Sequence, residues 1–193
     1  MSKKYLETIR VFDGVAQHLE YHQERVDNTL ETKNIHILSE LIKAPSLDLY
    51  RCRIVYDRES ISIEYLPYVK RDIRTLKLLR SDSLSYDKKY ENREELLELF
   101  ARKEQCDDIL IVKNNCITDT SIANIALFNG VRWYTPKTPL LKGTTRARLL
   151  AEGKITEVDI PVERLKSFKK IALMNAMINF DIIAEENIGA ILC

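Results

Sequence analysis

With 193 residues, 45 % of them apolar and 31 % charged, the chain has the composition of a folded globular protein and not of a disordered or fibrous one. Its 30 basic and 29 acidic residues leave a net charge of +1, which argues against a general electrostatic nucleic-acid binder or a polybasic membrane-surface protein. No apolar run approaches the roughly twenty residues of a membrane span, and Met1-Ser2-Lys3-Lys4-Tyr5 lacks the apolar core of a signal peptide, so a cytoplasmic location is expected.

Tyr5–Phe12 reads as a strand stopped by the turn dipeptide Asp13-Gly14. Leu19, His22, Val26 and Leu30 then recur at helical spacing, and a second helix is expected from about Ile35 to Ala44, before Pro45. Leu47–Asp57 and Ile61–Tyr68 look like strands joined at Arg58-Glu59-Ser60, and Arg74–Leu79 like another. The polar stretch Ser81-Asp82-Ser83 is the best linker, predicting domains 1–82 and 83–193. Asn92, with Glu95 three residues on, starts a helix whose apolar face is Leu96, Leu97 and Phe100. Ile109–Val112 fits a buried strand. Asn114-Asn115 and Asn129-Gly130 are hairpin turns, the second between Ile125–Phe128 and Val131–Tyr134. Gly143 precedes a short helix over Thr144–Leu150, closed by Gly153. A helical piece near Val162–Lys166 and strands at Lys170–Met174 and Asp181–Ala184 complete an α+β or mixed α/β chain in two lobes.

Several familiar chemistries are missing. Cys52, Cys106, Cys116 and Cys193 form no C-x-x-C pair, so reduced, buried or half-buried thiols are expected. With five glycines there is no G-x-G-x-x-G or Walker pattern. His18 and His22 stand four apart on a helix. A metalloprotease needs Glu directly after the first His, and Glu20 is misplaced for that, so no metal site is expected. Arg51-Cys52-Arg53 and Lys70-Arg71 are short basic clusters that make a poor nucleic-acid module.

Four segments in order carry a resemblance. They are Glu7-Thr8-Ile9-Arg10-Val11-Phe12-Asp13-Gly14 with His22-Gln23-Glu24-Arg25-Val26; Lys88-Lys89-Tyr90-Glu91-Asn92-Arg93; Ile117-Thr118-Asp119-Thr120-Ser121-Ile122-Ala123-Asn124-Ile125; and Pro139-Leu140-Leu141-Lys142-Gly143-Thr144-Thr145-Arg146. This set resembles the class IV aminotransferases, fold-type IV enzymes of pyridoxal 5′-phosphate that include branched-chain and D-amino acid aminotransferases and 4-amino-4-deoxychorismate lyase. The resemblance implies a two-lobed D-amino acid aminotransferase-like fold, with a shortened N-terminal lobe because Tyr5 stands almost at the start and the interval from Arg25 to Lys89 is short. It also implies a homodimer with the active site near the interface.

By the same resemblance, Lys89 is the Schiff-base lysine, with Lys88 out of register, and Asp119 holds the ring nitrogen where relatives have Glu. Arg25, Thr144, Thr145, Asn175 and Ala176 would hold phosphate or close the cofactor loop, and Arg10 and Met177 would meet substrate. Asn124 would shape the hairpin. For a cofactor of this kind an amine, a cation for phosphate and an acid for the pyridine are the groups required. The Lys89-x-x-Asn92-Arg93 form is nearer to lyase members, which release pyruvate and 4-aminobenzoate in a precursor step of folate synthesis. An amino acid aminotransferase and a catalytically degenerate cofactor-fold protein are the alternatives.

Overall fold

The computed structural model describes residues 3–184 and 188–192; Cys193 lies outside them. Contacts group the chain into two units, one formed by Met1–Lys70 with Lys88–Asn92, the other by Arg71–Asp87 with Arg93–Cys193. The grouping does not follow the expected division after residue 82. Leu76–Arg80 pairs in parallel with Asp108–Lys113 and so belongs to the second unit, while Tyr90 bridges to Tyr5 and returns 88–92, with Lys89, to the first.

In the first unit, β1 (Tyr5–Phe12), β2 (Val15–Ala16), β3 (Tyr50–Tyr56) and β4 (Ile61–Pro67) form an antiparallel sheet in the order β2-β1-β3-β4. Alternation along β1 sends Glu7, Ile9 and Val11 to one face. There Ile9 and Val11 are fully buried with Val26 and Leu30 of α1 (Leu19–Leu30), Leu38 of the one-turn α2 (Leu38–Leu41), and Cys52, Ile54 and Tyr56 of β3. Each such aliphatic side chain contributes about 1.5–3 kcal/mol. The longer second helix expected over Ile35–Ala44 shrinks to this single turn. Ile37 and Ile42 are extended, and Gln23 accepts from the Leu38 N–H and donates to the His36 carbonyl, replacing helical hydrogen bonds.

The second unit holds an eight-stranded sheet of β5 (Leu76–Arg80), β6 (Asp108–Lys113), β7 (Cys116–Thr120), β8 (Asn124–Phe128), β9 (Trp133–Pro136), β10 (Ile155–Val158), β11 (Lys170–Asn175) and β12 (Asn179–Ala184). The path runs β10-β9-β8-β7-β6-β5, with β11 also on β8 and β12 on β11. Its core includes Leu76, Leu110, Ile117, Ile125, Leu127, Ile171 and Leu173. Asn114 and Asn115 both take positive φ, 49° and 62°, so the β6–β7 turn is the tight hairpin that the sequence suggests. Two helices, α3 (Glu94–Ala101) and α4 (Thr144–Ala151), complete the unit with a 3₁₀ turn at Val162–Ser167 in place of the expected helical piece. The N-cap residue of helix α3 is Arg93, one residue after the expected start at Asn92, and it makes no side-chain cap bond. Cys106 is disulfide-bonded, correcting the expectation of reduced thiols there, whereas Cys52 and Cys116 are free.

Candidate active site

In the first unit Arg25 closes on a residue the sequence did not single out for chemistry, Glu7. Arg25 Nε donates to Glu7 Oε1 at 2.7 Å and its Nη2 to Glu7 Oε2 at 2.6 Å, a two-pronged fork that fixes the guanidinium plane. His22 Nδ1 stands 2.7 Å from the same Oε2; the carboxylate only accepts, so Nδ1 carries the proton. Glu7 and His22 are almost wholly buried. Burial alone would raise the Glu7 carboxyl, but the Arg25 guanidinium and the hydrogen bonds from His22 and Arg25 override it and hold the pKa at about 2. Burial also pushes the His22 imidazole down, aided by the charges of Arg25 and Lys89 and opposed by Glu7. His22 is therefore a neutral donor, and Lys89 lies close enough for its charge to be felt at the ring.

Backbone pairing places Lys89. Its carbonyl accepts from the Leu6 N–H at 2.7 Å, and the Glu91 N–H donates to the Lys4 carbonyl at 3.0 Å. The neighbouring Lys88 turns away: Nζ donates to the Thr29 carbonyl at 3.0 Å and pairs with Glu31 at 3.2 Å. Arg10 is not part of the cluster. It is three residues from Glu7, and strand alternation sends it to the opposite face of β1.

Asp119, Asn124 and the start of α4 come together in the second unit. Asp119 is the register partner of Asn124 across β7 and β8. The turn between them is held by Thr120, whose Oγ1 accepts from the Ala123 N–H at 3.0 Å, and by Arg93, which donates to the Ser121 carbonyl at 2.6 Å. Asn124 Nδ2 donates to Asp119 Oδ1 and to the Leu141 carbonyl, both at 2.8 Å, while the Leu141 N–H donates to Asp119 Oδ2 at 2.9 Å. A Cβ on Gly143 would stand 2.1 Å from Asn124 Oδ1, so glycine is required where this loop enters the helix. Gly143 is the N-cap, there is no side-chain cap, and buried Thr144 and Thr145 form the first turn. Burial lifts the Asp119 pKa to about 6, against the pull of the donors from Leu141 and Asn124.

Asn175, Ala176 and Met177 lie in the β11–β12 turn. Asn175 Oδ1 accepts from the N–H groups of Met177 and Ile178, and its Nδ2 donates to the Ile122 carbonyl at 3.2 Å, tying this turn to the one beside Asp119. Among the described residues no three His, Cys, Asp or Glu side chains are grouped to hold a metal ion, and no helix is long and apolar enough to cross a membrane.

Residues 4–185 match the family model of amino-transferase class IV. The chain belongs to that family. A Haemophilus influenzae protein named only as uncharacterized is 39 % identical over 180 residues, 89 % of this class IV chain and 96 % of its own length. A crystal structure from Haemophilus somnus 129pt, of a candidate 4-amino-4-deoxychorismate lyase, is 33 % identical, covers 92 % of this chain and 97 % of its own, and has a TM-score of 0.84. A hypothetical aminotransferase of Mycobacterium tuberculosis, in its PLP-bound form, is 16 % identical with a TM-score of 0.74, covers 96 % and 83 % of the two chains, and shares the fold.

Proposed function

We propose that this class IV chain is a pyridoxal 5′-phosphate enzyme acting on the amino group of a small molecule, with Lys89 as the point of covalent attachment. The donor set carries this reading. The first unit holds a primary amine, Lys89, and a guanidinium, Arg25, oriented by the buried Glu7. The second holds the buried acid Asp119 and a helix start flanked by Thr144 and Thr145. Each unit thus carries chemistry that a phosphorylated pyridine aldehyde calls for: in the first, an amine for the aldehyde and a cation for the phosphate; in the second, helix N–H groups for an anion and an acid for the ring nitrogen. Class IV membership and the PLP-bound relative support the same cofactor.

When bound, the cofactor supplies an electron sink. Lys89 Nζ would take the proton from the substrate carbon that bears the amino group. Arg25, its guanidinium plane fixed by Glu7, would hold the phosphate, and Asp119, fixed by Asn124 and the Leu141 N–H, would face the ring nitrogen. The reaction this reading favours is the 4-amino-4-deoxychorismate lyase type, in which that proton is lost, the enolpyruvyl C–O bond breaks and the ring becomes aromatic, giving 4-aminobenzoate and pyruvate. Its support is the Haemophilus somnus candidate lyase, at 33 % identity over nearly the whole chain, together with the lyase-like Lys89-x-x-Asn92-Arg93 segment.

The test is to supply 4-amino-4-deoxychorismate to the cofactor-loaded protein and couple pyruvate release to NADH oxidation. Pyruvate and 4-aminobenzoate in equal amounts are expected. Transfer of an amino group to 2-oxoglutarate without pyruvate would replace the lyase by an aminotransferase, and cofactor uptake with neither reaction would mark a degenerate protein.

A further inference from the structure

Asp119 sits where its own strand is weakly held by the sheet. The β6–β7 register slips between Leu110 and Val112, so that Leu110 faces Thr120 while Val112 faces Ile117. On the other side, β7 meets β8 at a single register pair, Asp119 with Asn124. A regular ladder fixes the backbone residue by residue; at this slip, side chains take over that task. Thr118 Oγ1 donates to the Ile111 carbonyl at 2.9 Å, across the slip. The 120–123 turn, which separates Asp119 from Asn124, is gripped from outside as well. The Ser121 N–H donates to Asp108 Oδ1 at 3.3 Å, and the Ser121 carbonyl accepts from Arg93 Nη2 at 2.6 Å. The Ile122 carbonyl accepts from Asn175 Nδ2 at 3.2 Å.

The Ser121 peptide unit thus meets an ionisable side chain at each end, a guanidinium on its carbonyl and a carboxyl on its N–H. That polarity follows the peptide's own dipole, and a guanidinium makes a stronger bond to a carbonyl than a neutral donor does. Stability alone does not account for the arrangement. Arg93 Nε and Asp108 Oδ2 are buried without a hydrogen-bond partner among the described residues, which costs folding free energy. What the two side chains accomplish is to fix a turn two residues from Asp119, and a displacement on the order of 1 Å there is enough to lose a hydrogen bond. We propose that Arg93 is a positioning residue: acting through Ser121, with Asp108 as its counterpart, it holds the Asp119 carboxyl where a pyridine nitrogen meets it. This deepens the proposed function and rests on it, because an acid facing the ring nitrogen is part of that reading.

The test uses the full-length protein with pyridoxal 5′-phosphate and with its 1-deaza analogue, in which a C–H replaces the ring nitrogen. Both carry the aldehyde and the phosphate, so borohydride reduction and mass mapping follow attachment of either one at Lys89. They differ at the atom assigned to Asp119. Equilibrium dialysis should show the unmutated protein preferring pyridoxal 5′-phosphate to the analogue, and Asp119→Asn losing that preference. Arg93→Met should shrink the preference about tenfold, through weaker binding of pyridoxal 5′-phosphate. Arg93→Lys, which still donates to one carbonyl, should recover part of it. A merely structural arginine would weaken both ligands alike. Equal losses, or a preference untouched by Arg93→Met, would therefore overturn the proposal. Should Arg93→Met fail to fold, Arg93→Gln, with its donor on a shorter arm, should show an intermediate preference, and an unchanged one overturns the proposal too. The two ideas fail separately. If neither aldehyde attaches at Lys89 of the unmutated protein, the functional reading falls. If both attach and the preference answers to Asp119 but not to Arg93, the positioning role alone falls.

Discussion

Glu7 and Asp119 are both buried carboxyls, one in each unit, and their surroundings drive them to opposite sides of the ordinary carboxylate range. Glu7 receives two bonds from a guanidinium and one from an imidazole, and stays ionised down to about pH 2. Asp119 receives only neutral amide donors at hydrogen-bond distance and is lifted to about 6. The difference shows that burial alone does not set a carboxyl's charge; a cation in direct contact outweighs desolvation, and amide groups do not. Under the proposed function it would suit two roles: a permanent anion to orient Arg25, and an acid that shares a proton readily with a ring nitrogen.

The strongest break in the account comes at Lys89. Lys89→Ala should lower turnover by about a thousandfold or more in the pyruvate assay. Glu7→Gln leaves Arg25 against a neutral amide and should cost about 3–5 kcal/mol of stability, read by urea denaturation. The two acids should also be separable by pH. The Glu7 contribution, with the pKa moved from 4.5 to about 2, is present above pH 4.5 and is lost as pH falls through 2, about 3 kcal/mol in all. Asp119 has the reverse sign. Its pKa is raised from 3.8 to about 6, so the unfolded chain ionises first, and about 3 kcal/mol of stability is lost as pH rises from 3.8 through 6. Glu7→Gln should flatten the acid arm of a stability–pH curve, and Asp119→Asn the segment between about pH 4 and 6.

Smaller effects refine the same contrast. Gly143→Ala forces the Asn124 carboxamide off Asp119 and should cost about 1–3 kcal/mol in thermal unfolding. Lys88→Ala removes a partly exposed pair with Glu31 and should cost under about 1 kcal/mol, leaving cofactor attachment intact.

Strands with strong alternation, and turns with Asn and Gly, were legible because their signals are local: β1, the Asn114-Asn115 hairpin and α4 all lie where spacing placed them. The failures are non-local. Residues 35–44 form one helical turn because Gln23, from another helix, takes over their hydrogen bonds. Strand β10 was missed because Ile155–Val158 is short and half polar, and its existence depends on parallel pairing with β9. Family spacing nominates Arg25 and Lys89 but not Glu7 and His22, since the partners in that cluster lie 15 and 18 residues apart in sequence. A signal was present: Glu7 shares strand parity with the buried Ile9 and Val11, and His22 precedes Val26 by one helical turn. A polar residue on an apolar face must find a partner.

The most direct test of the central claim is chemical. The purified protein, incubated with pyridoxal 5′-phosphate, should turn yellow, and borohydride reduction followed by peptide mass mapping should place one phosphopyridoxyl group on Lys89. A label on Lys88, or no stable uptake at all, would contradict the account.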